Sequence, residues 1–141
     1  MEGIYPLSDI RANTISDASG NGPINLKGQS AAKAWINFNG QTATAADDMT
    51  GVRNSFNISG LVDNGIGNHT PNMVNAMANN TYAVSCAISE SGVGGIPLFK
   101  AGDGYTTTNF LVLTADILGA TTGNTLTDFK FVQATLHGDL A

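Results

Sequence analysis

The chain has 141 residues, enough for one domain of ordinary size and too few for two large ones. Only 12% of them are charged, about half the usual quarter, while 42% are hydrophobic. Gly, Asn, Thr and Ser take the place of the missing charge, which excludes a helical bundle or coiled coil, and the content of Val, Ile, Leu and Phe excludes a disordered chain. The net charge is −5, and the six basic residues are scattered from Arg11 to Lys130, so no stripe exists to neutralise phosphates and no nucleic-acid partner is expected.

Residues 1–32 read differently from the rest. Met1 to Asp9 lacks a basic segment followed by an apolar core, so it is not read as a secretory signal. Ile4, Tyr5, Pro6 and Leu7 form a small apolar cluster stiffened by the proline. Ile10 to Ile15 fits a short strand, residues 17–23 are a dense turn cluster, and Ile24 to Leu26 is another brief extended piece. This is too little apolar surface for a core. The segment is expected to be an arm that packs on something else, the alternative being a frayed terminus.

Residues 33–141 alternate strand and turn. Ala34, Ile36 and Phe38 fall on one face, with Lys33, Trp35 and Asn37 on the other, and Asn39-Gly40 breaks the run. After a polar loop at 41–50, Val52, Asn54, Phe56 and Ile58 alternate with Arg53, Ser55, Asn57 and Ser59, as in one strand with one face buried. Asp63-Asn64-Gly65 predicts a hairpin, with the returning strand over 69–77. Pro71 within it suggests an edge position or a bulge.

Thr81 to Ile88 alternates most cleanly, with Tyr82, Val84, Cys86 and Ile88 on one face. Both faces are small or apolar, so one is expected to pack the core and the other to meet another subunit. Residues 89–104 read as a long Gly-rich loop, and Thr106–Thr114 and Leu126–Leu136 as two further strands. In the last, Phe129 and Phe131 share one face and Val132, Ala134 and Leu136 the other. Together these predict an all-β fold, an antiparallel, jelly-roll-like β-sandwich of about six to eight strands with an extended N-terminal arm.

Groups able to do chemistry are sparse. His69 and His137 have no metal-ligand spacing and read as polar surface or interface residues. A lone Cys86 in an apolar strand reads as a buried structural thiol and leaves no internal disulfide. Ser89 to Gly95 lacks the Lys and the following helix of a phosphate cradle. Asp47, Asp48, Asp63, Asp103, Asp116 and Asp128 lie mostly in turn-like stretches, which disfavours a catalytic carboxylate pair. The three Asn-x-Ser/Thr matches, at Asn57, Asn68 and Asn79-Asn80-Thr81, read as chance in so Asn-rich a chain. No apolar run reaches the roughly 20 residues of a membrane helix, and no cofactor or metal is expected.

One ordered set of motifs goes further. Lys33-Ala34-Trp35-Ile36-Asn37-Phe38-Asn39-Gly40 is followed by Val52 to Ser59, then Asp63-Asn64-Gly65-Ile66-Gly67, then Asn80-Thr81-Tyr82-Ala83-Val84, with Leu126-Thr127-Asp128 before a final apolar strand. This succession, over about residues 33–136, resembles a domain of tailed bacteriophages found at the ends of tail-fibre proteins and as small standalone virion proteins. The resemblance implies a virion structural protein, made in the bacterial cytoplasm, homotrimeric, and not an enzyme. Trp35, Asn37, Phe56 and Tyr82 would then shape core or interface. On this reading Ile4, Tyr5, Pro6, Leu7 and Ile10 attach the chain to other virion proteins, and Asp103 and Tyr105 in the Gly-rich loop contact a host surface glycan or protein. A tail-fibre or tail-tip appendage and a capsid decoration or head-fibre protein both fit; a polysaccharide-degrading spike fits poorly, for want of length and a carboxylate pair.

Overall fold

A computed structural model describes residues 31–89, 95–98, 104–117 and 124–141. The expected arm, with Ile4, Tyr5, Pro6, Leu7 and Ile10, lies outside the described residues but for Ala31 and Ala32, as does Asp103. The described chain is all β, apart from one 3-10 turn at Gly40–Thr42. Its nine strands are β1 (Ala34–Phe38), β2 (Val52–Phe56), β3 (Ile58–Asp63), β4 (Asn68–Met73), β5 (Ala83–Ser89), β6 (Gly95–Leu98), β7 (Val112–Ile117), β8 (Asn124–Leu126) and β9 (Phe131–His137). They form two antiparallel sheets, a β-sandwich. The first has the order β2-β1-β9-β5; the second runs β3-β4-β7-β6, with β8 also paired to β7.

The core is the seam between the sheets. Ala34, Ile36 and Phe38 of β1 and Val132, Ala134 and Leu136 of β9 are essentially fully buried, opposite Leu61 of β3 and Val112 of β7. Phe110 and Phe129, from the segments leading into β7 and β9, fill the same space. The predicted inward face of β1 is therefore the observed one, because period-two alternation places every second side chain on the same side of the pleat.

Several strand expectations are corrected. The single strand expected over 52–59 is two strands in different sheets. Asn57, at φ 57°, turns the chain between them. Phe56 consequently lies on the outer face of the first sheet, 47% exposed, while Ile58 is buried. Residues 106–109 are a turn rather than a strand start, because Thr106 Oγ1 accepts from the backbone N–H groups of Thr108 and Asn109. Leu126–Leu136 is interrupted between β8 and β9, so Phe129 and Phe131 do not share an environment; Phe129 is buried and Phe131 is 40% exposed. The expected loop at 89–104 contains β6. With these splits and additions the described residues hold nine strands, in the expected antiparallel sandwich.

Pro71 lies in an interior strand, not at an edge. Within β4 it faces Leu61 of β3, whose N–H is turned away to Asp48 O. The nitrogen without a hydrogen thus falls on the β7 side, where the regular ladder covers only Asn68 and His69. On the outer side of β3 the loop at 43–50 covers the free edge: Leu61 N–H donates to Asp48 O and Asp63 N–H to Thr44 O. Its approach requires Gly60, where a Cβ would stand 2.1 Å from Asp47 Oδ1.

The Asn57 corner is held by its own side chain. Nδ2 donates to Lys33 O at 3.0 Å and to Asn75 O at 3.1 Å, and Oδ1 accepts from Asn75 N–H at 2.7 Å. A non-glycine residue other than Asn or Asp pays about 1–2 kcal/mol in this backbone region, and each lost bond adds about 1 kcal/mol. Asn57→Ala should therefore lower unfolding stability by about 4–5 kcal/mol in urea titration, and Asn57→Gly by about 3 kcal/mol, since glycine accepts the positive φ and loses only the bonds.

Candidate functional site

The outer face of the first sheet gathers the motif side chains that the core does not use. In register, Phe56 of β2 stands beside Trp35 of β1, which stands beside Thr135 of β9. The next row is Asn54, Asn37 and Gln133. One row is thus led by two aromatic rings and the other consists of amides, with paired side chains close enough to touch. Beyond β9 the face continues in the small residues Ser85 and Ala87 of β5, both exposed.

A register shift between Asn37 and Phe38 leaves Arg53 as the extra residue of a bulge in β2. Its guanidinium donates to Phe38 O at 2.8 Å and lies 4.4 Å from the ring centroid of Phe131. Arg53 is the single Lys or Arg in β2, β1, β9 and β5, and these strands hold no Asp or Glu. The expectation that another subunit covers this face finds it partly open in the single chain: Phe56, Phe131, Gln133 and Ser85 are exposed and Trp35 is half-buried.

Between β1 and β9 the face dips into a depression of about 200 Å³, lined by Trp35, Asn37, Gln133 and Thr135 with the backbone of Ile36 and Ala134 beneath. Asn37 Oδ1 is buried there without a hydrogen-bond donor. An acceptor left in that state costs about 1–3 kcal/mol, and with no accessible surface it is closed to a ligand as well as to water.

Two polar clusters lie inside the fold. His69, expected at a surface or interface, is fully buried in β4. Its Nε2 lies 3.4 Å from Gly40 O and 3.8 Å from Asp128 Oδ1, its ring packs against Phe38, and its Nδ1 has no partner. Asp128 Oδ1 also accepts from Gly67 N–H at 2.6 Å. Gly67 is at φ +64°, and a Cβ there would stand 2.4 Å from Thr114 O. The imidazole is closed to solvent, so this cluster joins the 3-10 turn, β4 and the segment before β9 and presents nothing to a substrate. Among the described residues no three His, Cys, Asp or Glu side chains converge as metal ligands.

The second cluster is Tyr82, Cys86 and Tyr105. The rings of Tyr82 and Tyr105 are 5.5 Å apart, and Tyr82 hydroxyl lies 2.9 Å from both Thr106 O and Asn109 O. Tyr105, expected as a contact residue, is half-buried in this packing. Cys86 is half-buried and faces inward. Burial pushes its thiol from 9.0 up to about 11. Burial, then the nearby Tyr105, pushes the Tyr82 phenol from 10.0 up to about 12. Such a thiol is a poor nucleophile at neutral pH.

Of the residues expected to make contacts, only Tyr105 is described, and the structure does not bring it to the outer face of the first sheet. Gln133 and Thr135 had no sequence signal; they join Trp35 and Asn37 through the β1–β9 register alone. Comparison with models of known families, with curated proteins and with solved structures found no match.

The raised thiol and phenol set the alkaline limit of the fold. Both groups hold their protons more tightly folded than unfolded, so the unfolded chain releases protons first and stability falls as pH rises. Unfolding midpoints in urea should begin to decline near pH 9.0 and go on falling as pH climbs through about 11 and about 12. In Tyr82→Phe the upper part of that decline should be missing, and the unfolding free energy at neutral pH should drop by about 1–2 kcal/mol for the lost hydroxyl bonds.

Proposed function

We propose that this chain is a structural protein of a tailed-bacteriophage virion, a homotrimeric tail-fibre or tail-tip appendage that contacts the host surface. The observation that supports this reading most is where the motif residues lie. Ile36, Phe38 and Tyr82 build the core, whereas Trp35, Asn37 and Phe56 meet on one outer face that carries almost no charge. A solvated sheet face in a monomer has no need of two neighbouring aromatic rings there. Such a face suits recognition of another molecule.

In this reading residues 1–32 attach the chain to other virion proteins, and the sandwich carries the contact surface. The chain works by binding and has no catalytic residues, and it needs no cofactor. It reaches its place by assembly into the particle in the bacterial cytoplasm, with no membrane insertion.

Three measurements test the reading. Quantitative mass spectrometry of purified particles should find from a few to about a few dozen copies per virion, in multiples set by a threefold axis. On the order of hundreds of copies would instead make the chain a head-decoration protein, since capsid positions recur that often. Light scattering of the isolated protein should give about three times the mass of one chain, and a stable monomer at micromolar concentration would contradict the trimer. Deleting residues 1–25 should abolish attachment to particles and leave the trimer intact.

A further inference from the structure

The depression between β1 and β9 has properties that select its ligand. No charged side chain lines it. Its polar groups are the Asn37 and Gln133 amides, the Thr135 hydroxyl and the Trp35 indole N–H, and none of them has a hydrogen-bond partner among the described residues. Beside them lies the Trp35 ring, extended by Phe56 along the same row. At about 200 Å³ the space is below the range of pockets that enclose a drug-sized molecule, and it is open to the sheet surface on top.

We propose that this depression binds one ring of a neutral oligosaccharide, with the neighbouring rings lying across the sheet over Phe56. The proposal rests on the reading of the chain as a host-contacting appendage and names the ligand class of that contact. A pyranose ring has an apolar C–H face and a rim of hydroxyls that both donate and accept. The indole takes the apolar face, and the exposed Gln133 amide meets the hydroxyls as donor and acceptor at once, with the Asn37 amide NH2 beside it.

Alternative occupants match less well. An apolar protein surface would leave the amides of Asn37 and Gln133 desolvated and unpaired. An acidic glycan would bring carboxylates to a depression without a lining cation, and Arg53 is already engaged with Phe38 O and the Phe131 ring. The open top admits internal units of a chain as readily as its ends.

Trp35 is the single tryptophan of the 141 residues, so its fluorescence reports this site without interference. The full-length protein is titrated with cello-, xylo-, manno- and laminarihexaose, and with hexagalacturonate as an acidic comparison. The expected result is a saturable change in Trp35 emission with a neutral hexasaccharide and none with the acidic one. Gln133→Ala and Asn37→Ala should each weaken binding about tenfold, the loss of a well-placed hydrogen bond. Gln133 is exposed, so its replacement leaves the fold in place.

The proposal is overturned if none of the neutral probes alters Trp35 emission at millimolar concentration, if only hexagalacturonate does, or if neither substitution weakens binding. If Gln133→Ala lowers the solution mass of the protein while sugar affinity is unchanged, the face belongs to contact between copies and the proposal also fails. Particle copy number is measured independently of all these outcomes. A chain that sits on virions in appendage numbers but binds no neutral sugar overturns the ligand class alone; a chain absent from virions overturns the reading beneath it.

Discussion

One residue in a rarely used backbone region decides that this chain makes two sheets and not one. Asn57 takes φ 57° between β2 and β3 and sends the chain from the first sheet into the second. A side chain is usually a penalty in that region, but the short Asn amide converts it to a clamp. It ties the corner to Lys33 O just ahead of β1 and to Asn75 just after β4. Those anchors belong to the first sheet and to the exit of the second, so the corner also fixes how the two layers meet. Inward residues of β1 and of β3 and β4 can then bury against each other.

The corner determines the outer face as well. Had β2 run straight on, Ile58 would have pointed the same way as Phe56, out of the core. With the turn between them, Ile58 goes inward and Phe56 stays outside beside Trp35. The low charge of the chain is then uneven in its effect. The strands of the first sheet carry a single Arg and no carboxylate, so their outward side is built from aromatic rings, amides and small residues. Neutral surface of this kind is neither a core nor an ordinary solvated face, and this asymmetry is the basis of the functional reading.

The interior polar groups serve the opposite end. Gly67 can approach Thr114 only because it lacks a Cβ, and its N–H is then close enough to donate to Asp128. The same carboxylate lies near the buried His69, which also faces Gly40 O. Three stretches far apart in sequence thereby close one end of the sandwich with directional bonds, where side-chain volume alone would not specify a unique arrangement.

The sequence by itself determined the class of the fold and much of its facing. Alternation in Ala34–Phe38 and Ala83–Ile88 named the inward side chains of β1 and β5, and Asn64-Gly65 marked the β3–β4 turn, because pleat period and turn chemistry are local properties. It also placed Trp35 and Asn37 on the side away from Ala34, Ile36 and Phe38. What it could not show was where alternation stops being one strand. Asn57 keeps the period-two pattern in letters while breaking it in φ, and Thr106 to Asn109 looks extended until its hydroxyl closes a turn. Nor could it bring Gln133 and Thr135 to Asn37 and Trp35, which come from opposite ends of the described chain. Only tertiary structure decided that, because strand register is set by which non-local burial is most favourable, and a slip of one residue would exchange the core face for the outer one.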